Sequence, residues 1–430
     1  MIRLDATAPS FAADFAALVD ARRESDADVA RDVAAILRAV KDEGDAALRD
    51  FTRKFDRHDL DATGWHIAAA DCAAAFDALA PDLRAALELA ASRIRAYHEK
   101  QRPDDLTFTD AAGVRLGARW RAVDAAGVYV PGGRAAYPST LLMNAIPAKV
   151  AGVERLVVVT PTPNGEVNPL VLAAAHLAGA DEVWRVGGAQ AIAALAWGTE
   201  RIARVDVVTG PGNAWVAEAK RQVYGVVGID MVAGPSEIVV IADRANDPEW
   251  IAADLLSQAE HDVTTQSILF TDDAAFADHV ATAVERQLAT LPTGETARIA
   301  WEANGAIILV PSLAAACALN DALAPEHVEI ATDDPVALFD RLRHAGSAFL
   351  GRHTPEAIGD YVAGPNHVLP TGRRARFASG LGVTDFMKRT SFLQLDAAAL
   401  GKLGPATVAL ANAEGLPAHA ASVALRLAKR

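Results

Sequence analysis

Residues 257–262 crowd several side chains able to do chemistry into six positions. They read Ser-Gln-Ala-Glu-His-Asp and follow a helical pattern that begins near Pro248. Residues three apart in a helix share one face, so Gln258 and His261 would project together if the helix continued through them. An amide oxygen and an imidazole nitrogen can both bind a divalent metal. A solvated helix end whose histidine interacts with the helix dipole explains the same pattern, so the spacing leaves both interpretations open.

Glu326 and His327 form a second candidate pair, directly after Pro325 at the junction of a loop and a predicted strand. Histidine can act as a general base near neutral pH, and a carboxylate beside it could take part in the same chemistry. Neighbouring residues on a strand point to opposite faces, so the two need not act on one atom. A surface glutamate beside a half-buried histidine is the competing interpretation.

Two further stretches carry side chains of the same types, namely a loop bracketed by Asp360 and His367 and a part of the tail with Glu414 and His419. None of them is diagnostic alone. Cys72 is far from the only other cysteine, Cys317, and the two have no Cys-x-x-Cys spacing, which argues against a disulfide framework or a thiolate metal site. A metal would therefore need histidine, carboxylate or amide ligands.

Length and charge bound the class of protein. At 430 residues the chain can form two or three domains with a large core. Its 41 lysines and arginines against 55 aspartates and glutamates leave a formal charge of −14, which argues against nucleic acid or an anionic membrane as a partner. No uncharged apolar run approaches the length of a membrane span, and the start lacks the apolar centre of a signal peptide. We therefore expect a soluble, cytoplasmic protein.

The elements that must position these side chains alternate in type after a helical first part, which extends to about residue 105. Predicted strands, with helices such as 169–178 between them, are 127–130, 155–160, 181–186, 205–209, 236–243, 266–270, 306–310 and 327–330. This order predicts βαβ units, mostly parallel sheets in an α/β fold, and ligands at the carboxyl ends of the strands. Beyond about residue 380 a helical tail is too small to bury a core alone, so we expect it to pack on another subunit.

A strand, a tight loop and a helix follow one another around residues 210–213, Gly-Pro-Gly-Asn. That order can hold a phosphate on free N–H groups. The third glycine of a GxGxxG fingerprint would fall at Trp215, so the dinucleotide signal is weak and a plain turn explains the motif equally.

Seven motifs together resemble the histidinol dehydrogenase family. They begin at Gly127, Gly210, Ala233, Ser257, Pro325, Gly364 and Glu414, and read GVYVPGGRAAYPSTLLMNAIPAKVAGV, GPGNAWVAEAKRQVYG, AGPSEIVVIAD, SQAEHD, PEHVEI, GPNHVLPTGRRARFASGLGVTDF and EGLPAHA. The match covers roughly residues 30–425 in family order, which is far more specific than any single motif.

The resemblance implies two incomplete Rossmann-like domains, broadly like those of aldehyde dehydrogenases, which bind NAD without the usual fingerprint. The implied boundaries are a helical N-terminal arm at 1–25, a first α/β domain at 26–128 and 236–380, a second, NAD-contacting α/β domain at 129–235, and a helical tail at 381–430 that completes the partner's site in a homodimer.

The family oxidises L-histidinol to L-histidine by two successive hydride transfers to NAD, as the last steps of histidine biosynthesis, and the resemblance implies the same here. Zn²⁺, one per subunit, would be bound by Gln258, His261, Asp360 and His419 of the partner subunit. His327 would be the base, and Glu326 would activate the water that hydrates the aldehyde. Expected substrate contacts are Ser236, Gln258, His261, His327, Asp360, His367, Glu414 and His419, and expected NAD contacts are Tyr129, Gln190 and Asn213.

Two departures from the family pattern concern loop geometry and nucleotide affinity. Arg373 and Arg374 stand where smaller residues are expected, and Trp215 replaces a smaller aromatic residue beside Asn213. Neither departure removes an implied functional residue.

Three alternatives remain. A relative could oxidise another primary alcohol with the same zinc and catalytic residues. A zinc hydrolase could use Glu260 or Glu326, although the HExxH spacing is absent. A non-catalytic metal-binding module for oligomerisation is the third, and it leaves the many loop motifs unexplained.

Overall fold

The computed structural model describes residues 1–21, 27–132 and 137–428. Residues 22–26, at the predicted end of the N-terminal arm, and 133–136, inside the motif that begins at Gly127, lie outside the described residues.

The strands of the described chain are β1 (Ile2–Asp5), β2 (His66–Ile67), β3 (Leu106–Thr109), β4 (Arg115–Ala122), β5 (Ala125–Tyr129), β6 (Arg155–Val159), β7 (Glu182–Trp184), β8 (Val207–Thr209), β9 (Gly228–Ile229), β10 (Glu237–Ala242), β11 (Gln266–Thr271), β12 (Ala306–Leu309), β13 (His327–Ala331), β14 (Ser347–Leu350) and β15 (Met387–Gln394).

Its α-helices are α1 (Phe11–Asp20), α2 (Ala27–Glu43), α3 (Asp45–Asp56), α4 (Leu60–Thr63), α5 (Ala69–Asp77), α6 (Pro81–Glu99), α7 (Pro138–Ala151), α8 (Pro169–Ala178), α9 (Gly188–Trp197), α10 (Ala214–Val223), α11 (Pro248–Ala259), α12 (Ala274–Leu288), α13 (Gly294–Asn304), α14 (Leu313–Leu323), α15 (Pro335–Phe339), α16 (Glu356–Tyr361), α17 (Ala397–Ala413) and α18 (Pro417–Leu427).

The first sheet has six parallel strands in the order β1-β12-β11-β10-β13-β14. Its central strand β10 reads Glu-Ile-Val-Val-Ile-Ala and is buried along its whole length. Such a continuous apolar run is typical of a parallel strand covered on both faces. Helices α11, α12 and α13 form the core on one face, and α1 and α14 contribute to the core on the other.

The second sheet has the order β2-β7-β6-β5-β8-β9, in which β2 is antiparallel to β7 and the other pairs are parallel. From β5 the chain adds β6 and β7 on one side, and it then returns to add β8 and β9 on the other. The strand order therefore reverses between β5 and β8. In open α/β sheets a crevice at such a point, beyond the carboxyl ends of the strands, is where ligands bind.

A third, antiparallel sheet joins the tail to the rest of the chain. Strand β4 lies between β3 and β15, and β15 pairs with it from Met387 to Gln394. Helices α17 and α18 follow and pack on each other. Lys402 of α17 donates a hydrogen bond of 3.2 Å to the carbonyl of Ala112, beside the β3–β4 turn.

The predicted α/β class with two largely parallel sheets is confirmed, and α8 has the predicted bounds. The prediction of helices alone is wrong at β1 and β2 in the first part of the chain, and at β15 in the tail. β2 has only two residues and cannot show a period-two alternation, and the alternation of β1, Ile-Arg-Leu-Asp, is too brief to stand out from the helical pattern that follows it. β15 is exposed at most positions, so no apolar face marks it in the sequence.

The predicted grouping of residues 26–128 with 236–380 differs from the packing. Val33 and Leu37 of α2 share a core with Ile192 of α9, which covers the second sheet. Leu87 of α6 lies in the core on the other face of that same sheet. Helical periodicity reveals an apolar face but not the sheet that the face will meet. The other domain boundaries stay a prediction.

Within the described ranges, no helix is both long enough and apolar enough to cross a membrane.

Candidate functional site

The candidate catalytic residues lie at the amino ends of two neighbouring strands of the first sheet. His327 is the first residue of β13 and pairs in register with Ile238 of β10, so Glu326 lies beside Glu237. Ser236 immediately precedes β10. The sequence predicted ligands at the carboxyl ends of strands, whereas these residues lie at the opposite edge. The loops that precede β10 and β13 therefore contribute residues to this site.

His327 is buried, and its hydrogen bonds fix which nitrogen carries the proton. Nδ1 lies 3.2 Å from the carbonyl oxygen of Glu237 and 3.1 Å from Oε1 of Gln258. A carbonyl only accepts, so Nδ1 donates and the lone pair is on Nε2. Burial, the largest effect, lowers the pKa of His327 to about 4. The imidazole is therefore neutral near pH 7, and Nε2 has no hydrogen-bond partner among the described residues.

Glu326, like His327, is hydrogen-bonded to the backbone of Glu237. Its Oε2 accepts a hydrogen bond of 3.1 Å from the backbone N–H of Glu237. Burial raises its pKa well above the usual range, and the nearby Glu237 carboxyl raises it further, while a hydrogen bond from the Ser236 side chain acts in the opposite direction. A buried carboxyl group with a raised pKa is a stronger base once ionised than an exposed one.

Gln258 and His261 are brought together as predicted, but not by one continuous helix. Helix α11 ends at Ala259, and the backbone N–H of His261 bonds to the carbonyl of Gln258 at 3.2 Å in the turn that follows. The Gln258 amide nitrogen lies 3.0 Å from Nδ1 of His261. Gln258 is fully buried, whereas His261 is exposed. The amide thus lies between the exposed imidazole of His261 and the buried imidazole of His327.

Asp360, on helix α16, lies close to His327 and His261. Its backbone carbonyl accepts a hydrogen bond of 3.0 Å from Nδ1 of His367, whose Nε2 lies 3.3 Å from the hydroxyl of Thr140. Burial acts to raise the pKa of Asp360, but the hydrogen bond and charge of His367, with His327 and His261 nearby, outweigh it and leave that pKa below its usual value. The carboxylate is therefore ionised and surrounded by imidazoles.

Glu356, one turn before Asp360 in α16, is a residue that sequence reasoning missed. Its Oε1 is buried without a hydrogen-bond partner in the described chain and lies 3.6 Å from Nε2 of His327. Its Oε2 accepts a hydrogen bond of 3.2 Å from Ser257. Burial, and then the charge of Asp360, raise its pKa to about 8. The only sequence signal was its spacing of four residues from Asp360, which places both on one helix face.

Several of these side chains could hold a metal ion. Among the described residues, His327, Glu356 and Asp360 offer ligand atoms within 4.8 Å of one another. Gln258 and His261 lie beside this group through their contacts with each other and with His327. Imidazole, amide and carboxylate ligands suit Zn²⁺. The site thus fits zinc, although the most closely spaced group shares only Asp360 with the predicted ligands, which stay a prediction.

Glu414 and His419 are exposed, in the connection between α17 and α18 and in the first turn of α18. His419 is not in the closely spaced ligand group of the described chain. The structure therefore leaves both residues available to another subunit.

The predicted NAD-contacting residues gather at the carboxyl edge of the second sheet. Tyr129 ends β5, and its hydroxyl accepts a hydrogen bond of 3.2 Å from the N–H of Gly188 at the start of α9. Gln190 is buried in the same turn. Asn213 caps α10 by accepting hydrogen bonds from the N–H groups of Trp215 and Val216, at 3.1 and 3.2 Å. The three lie where the strand order reverses, and their contact with NAD stays a prediction.

The two departures from the family pattern leave these residues in place. The N–H of Trp215 is one of the groups capped by Asn213, and its ring packs on the second sheet's core. Arg373 is in the left-handed region at φ 64°. Arg374 donates a hydrogen bond of 3.2 Å to the carbonyl of Thr371.

Comparison with known proteins identifies the family. A model of the histidinol dehydrogenase family matches residues 19–427. The chain belongs to the histidinol dehydrogenase family. It is 63% identical over 429 residues to the histidinol dehydrogenase of Zymomonas mobilis, with 100% of both chains covered. It is 61% identical to that of Rhodospirillum rubrum, with 99% of this chain and 98% of the relative covered.

A solved structure of the same family has the same fold. The crystal structure of histidinol dehydrogenase from Elizabethkingia anophelis, 35% identical in sequence, superposes with a TM-score of 0.95 over 100% of this chain and 98% of that one. The family predicted from the motifs is confirmed, and so is the predicted class of NAD-dependent oxidoreductase in histidine biosynthesis.

The burial of Tyr129 leads to a testable pH dependence. Burial raises its pKa to about 12, whereas an unfolded tyrosine ionises near pH 10. Between these values the unfolded state has released a proton that the folded state keeps, so stability falls as pH rises, by up to about 1.4 kcal/mol per pH unit. Denaturant unfolding from about pH 9 to about pH 11 should show a flatter decline for Tyr129→Phe than for the native protein.

Tyr224→Phe is the matched control because that side chain is 70% exposed. It should leave the native slope unchanged. An identical slope in Tyr129→Phe and the native protein would mean that Tyr129 does not resist ionisation.

Proposed function

We propose that this chain oxidises L-histidinol to L-histidine through histidinal, with two NAD reduced per histidinol and the aldehyde held in one zinc-containing site. The observation that carries the proposal is the buried Nε2 lone pair of His327, which has Glu326 beside it and the Gln258, His261 and Asp360 group around it. Family membership supplies the reaction class. We place this activity in the cytoplasm.

The proposed metal ligands are Gln258, His261, Asp360 and His419 of the partner subunit. Bound there, Zn²⁺ would hold the imidazole and amine nitrogens of the substrate and so orient its alcohol carbon. His327 is left out of this set for a chemical reason. Its Nδ1 donates to a backbone carbonyl, so a metal on Nε2 would occupy the lone pair that the reaction needs.

In the first oxidation His327 would take the hydroxyl proton at Nε2 as hydride leaves the alcohol carbon for NAD. Its neutral form is the one present near pH 7, because burial depresses the pKa of the imidazole. The hydrogen bond from Nδ1 to the Glu237 carbonyl would hold the ring during transfer and stabilise the imidazolium that forms. General-base catalysis of this kind contributes roughly 10²–10⁴-fold in rate.

In the second oxidation Glu326 would take a proton from the water that adds to histidinal. The hydrate then loses a second hydride to a second NAD and becomes the carboxylic acid. The Glu237 N–H and the Ser236 side chain hydrogen-bond the carboxyl group and would orient it for that transfer. Ser236, His367 and Glu414 would complete the substrate contacts. Tyr129, Gln190 and Asn213 would contact NAD.

The tail is proposed to complete the site of a partner in a homodimer. Glu414 and His419 are exposed on it, and α17 and α18 carry apolar side chains that this chain does not cover. Leu410 and Leu425 are 65% and 66% exposed. An interface that covered these leucines would bring α18, which carries His419, against the other subunit.

The first test is the number of NADH formed per limiting L-histidinol, with product identification, before and after chelation of metal. We expect two NADH and histidine, loss of activity on chelation, and recovery with Zn²⁺. One NADH with released aldehyde would reject the role of Glu326, and no NADH would indicate that the natural substrate is another primary alcohol.

Replacing Glu326 should separate the two oxidations. Glu326→Gln should slow oxidation of supplied histidinal by roughly 10²–10⁴-fold while leaving a rapid burst of one NADH per site with histidinol, since only the second oxidation needs activated water. Stopped-flow absorbance measures both. Glu329→Gln alters a buried carboxyl on β13 that has no proposed catalytic role, and it should keep the two rates in their native ratio. Equal losses of both oxidations in Glu326→Gln would contradict the assignment.

Mixed dimers test the shared site. His419→Ala and Gln258→Ala should each be inactive, yet a heterodimer purified through two different tags should recover about half of the native activity, because one of its two sites contains neither mutation. His279→Ala, which alters an exposed histidine, should be fully active alone. Absence of recovery in correctly assembled heterodimers would mean that His419 does not act across the interface.

A further inference from the structure

A buried ion pair lies directly behind the loop that precedes α10. Lys220 on α10 and Asp230 after β9 have side chains only 2% and 1% exposed, and they contact each other through Nζ and Oδ1. No motif or spacing in the sequence marks either residue. Burial of two opposite charges is unfavourable compared with apolar packing unless hydrogen bonds compensate for the lost hydration. The hydrogen-bond partners of this pair therefore indicate which part of the backbone it holds.

The hydrogen bonds of this pair converge on one glycine. Lys220 Nζ donates to the carbonyl oxygen of Gly210 at 2.9 Å, and Oδ2 of Asp230 accepts from the N–H of Gly210 at 2.8 Å. Oδ1 of Asp230 also accepts from the N–H of Met231 at 2.6 Å. Both peptide groups of Gly210 are therefore held by a single ion pair.

Gly210 is confined on its other side by β5. Its φ is +112°, and a Cβ placed on it would lie 2.1 Å from the carbonyl oxygen of Tyr129. A Cβ on Gly212 would lie 2.4 Å from the side chain of Val216. The backbone of residues 210–212 thus fits between Tyr129, the ion pair and the first turn of α10. Asn213, the cap of that helix, follows at once.

We propose that Lys220 and Asp230 are positioning residues for the nicotinamide nucleotide. They hold residues 210–212 in the one backbone arrangement that sets Tyr129 and Asn213 at the crevice between β5 and β8. The inference rests on the proposed NAD contacts of those two residues. Neither Lys220 nor Asp230 touches the nucleotide, and the pair acts by preorganising the loop, which lowers the entropy lost on binding.

The variant that tests this is Lys220→Met/Asp230→Leu, which removes both charges together and so leaves no unpaired charge in the core. We expect it to fold, to raise KM for NAD and the Kd of NADH by at least about tenfold, and to keep KM for histidinol within about threefold of native. Zinc content should be unchanged. NADH fluorescence measures the Kd without turnover.

The matched control is Arg155→Met/Glu182→Leu. Those residues form another ion pair of the second sheet, 2.6 Å apart, and Arg155 begins β6 at the amino edge. This variant should keep the native Kd of NADH. Lys220→Met/Asp230→Asn, which also leaves no buried charge but retains an oxygen able to accept from Gly210, should weaken binding less than Lys220→Met/Asp230→Leu does.

The outcomes separate this inference from the proposed function. Native protein that binds NADH, with a double variant that folds and binds it equally well, would overturn the positioning role alone. A double variant that loses thermal stability with every kinetic constant unchanged would assign the pair a structural role and overturn it too. Native protein that binds no nicotinamide nucleotide would overturn both proposals.

Discussion

The peptide groups of Glu237 are the element on which the candidate site depends. The N–H of this residue bonds to Glu326 and its carbonyl accepts from His327, so one residue of β10 orients both members of the proposed acid–base pair. Parallel pairing of β10 with β13 brings them into reach. The alternation rule suggested that adjacent residues would face apart. Glu326 precedes the first residue of β13, so its side chain is free of that rule and both groups reach Glu237.

Buried carboxyl groups also lie further along β13 and on the helix packed beside it, and burial makes them weaker acids than exposed ones. Glu329 on β13 is hydrogen-bonded to Asp254 of α11, and burial raises the pKa of both, that of Asp254 to about 6. Such groups oppose folding unless they are protonated or paired. Apolar cores on both faces of the same sheet offset that cost. The apolar packing along the strands therefore stabilises the first sheet, whereas the candidate catalytic residues lie at the amino ends of its strands.

The parts predictable from sequence are those in which local pattern and burial agree. β10 is buried throughout and apolar after Glu237, and its predicted bounds of 236–243 lie within one residue of the observed ones at each end. β15 alternates weakly and is mostly exposed, so its pairing with β4 depends on partners that local pattern cannot supply. The same holds in the site. The spacing of Gln258 and His261 is visible in the sequence. Glu356 and Lys220, in contrast, make their hydrogen bonds with residues about 100 and 10 positions away, which a local pattern does not reveal.

The two sheets contribute opposite edges, and this constrains how a reaction could join them. The proposed nucleotide contacts lie at the carboxyl edge of the second sheet, and the catalytic residues lie at the amino edge of the first. Hydride transfer requires a fixed distance and orientation between groups bound at the two edges. One segment contacts the first sheet and a helix that covers the second: Asn366 donates to the carbonyl of Met143 on α7, and the N–H of Gly372 donates to the side chain of Glu237. Residues 366–372 therefore link α7, which packs against the second sheet, to the strand of the first sheet that orients the candidate base.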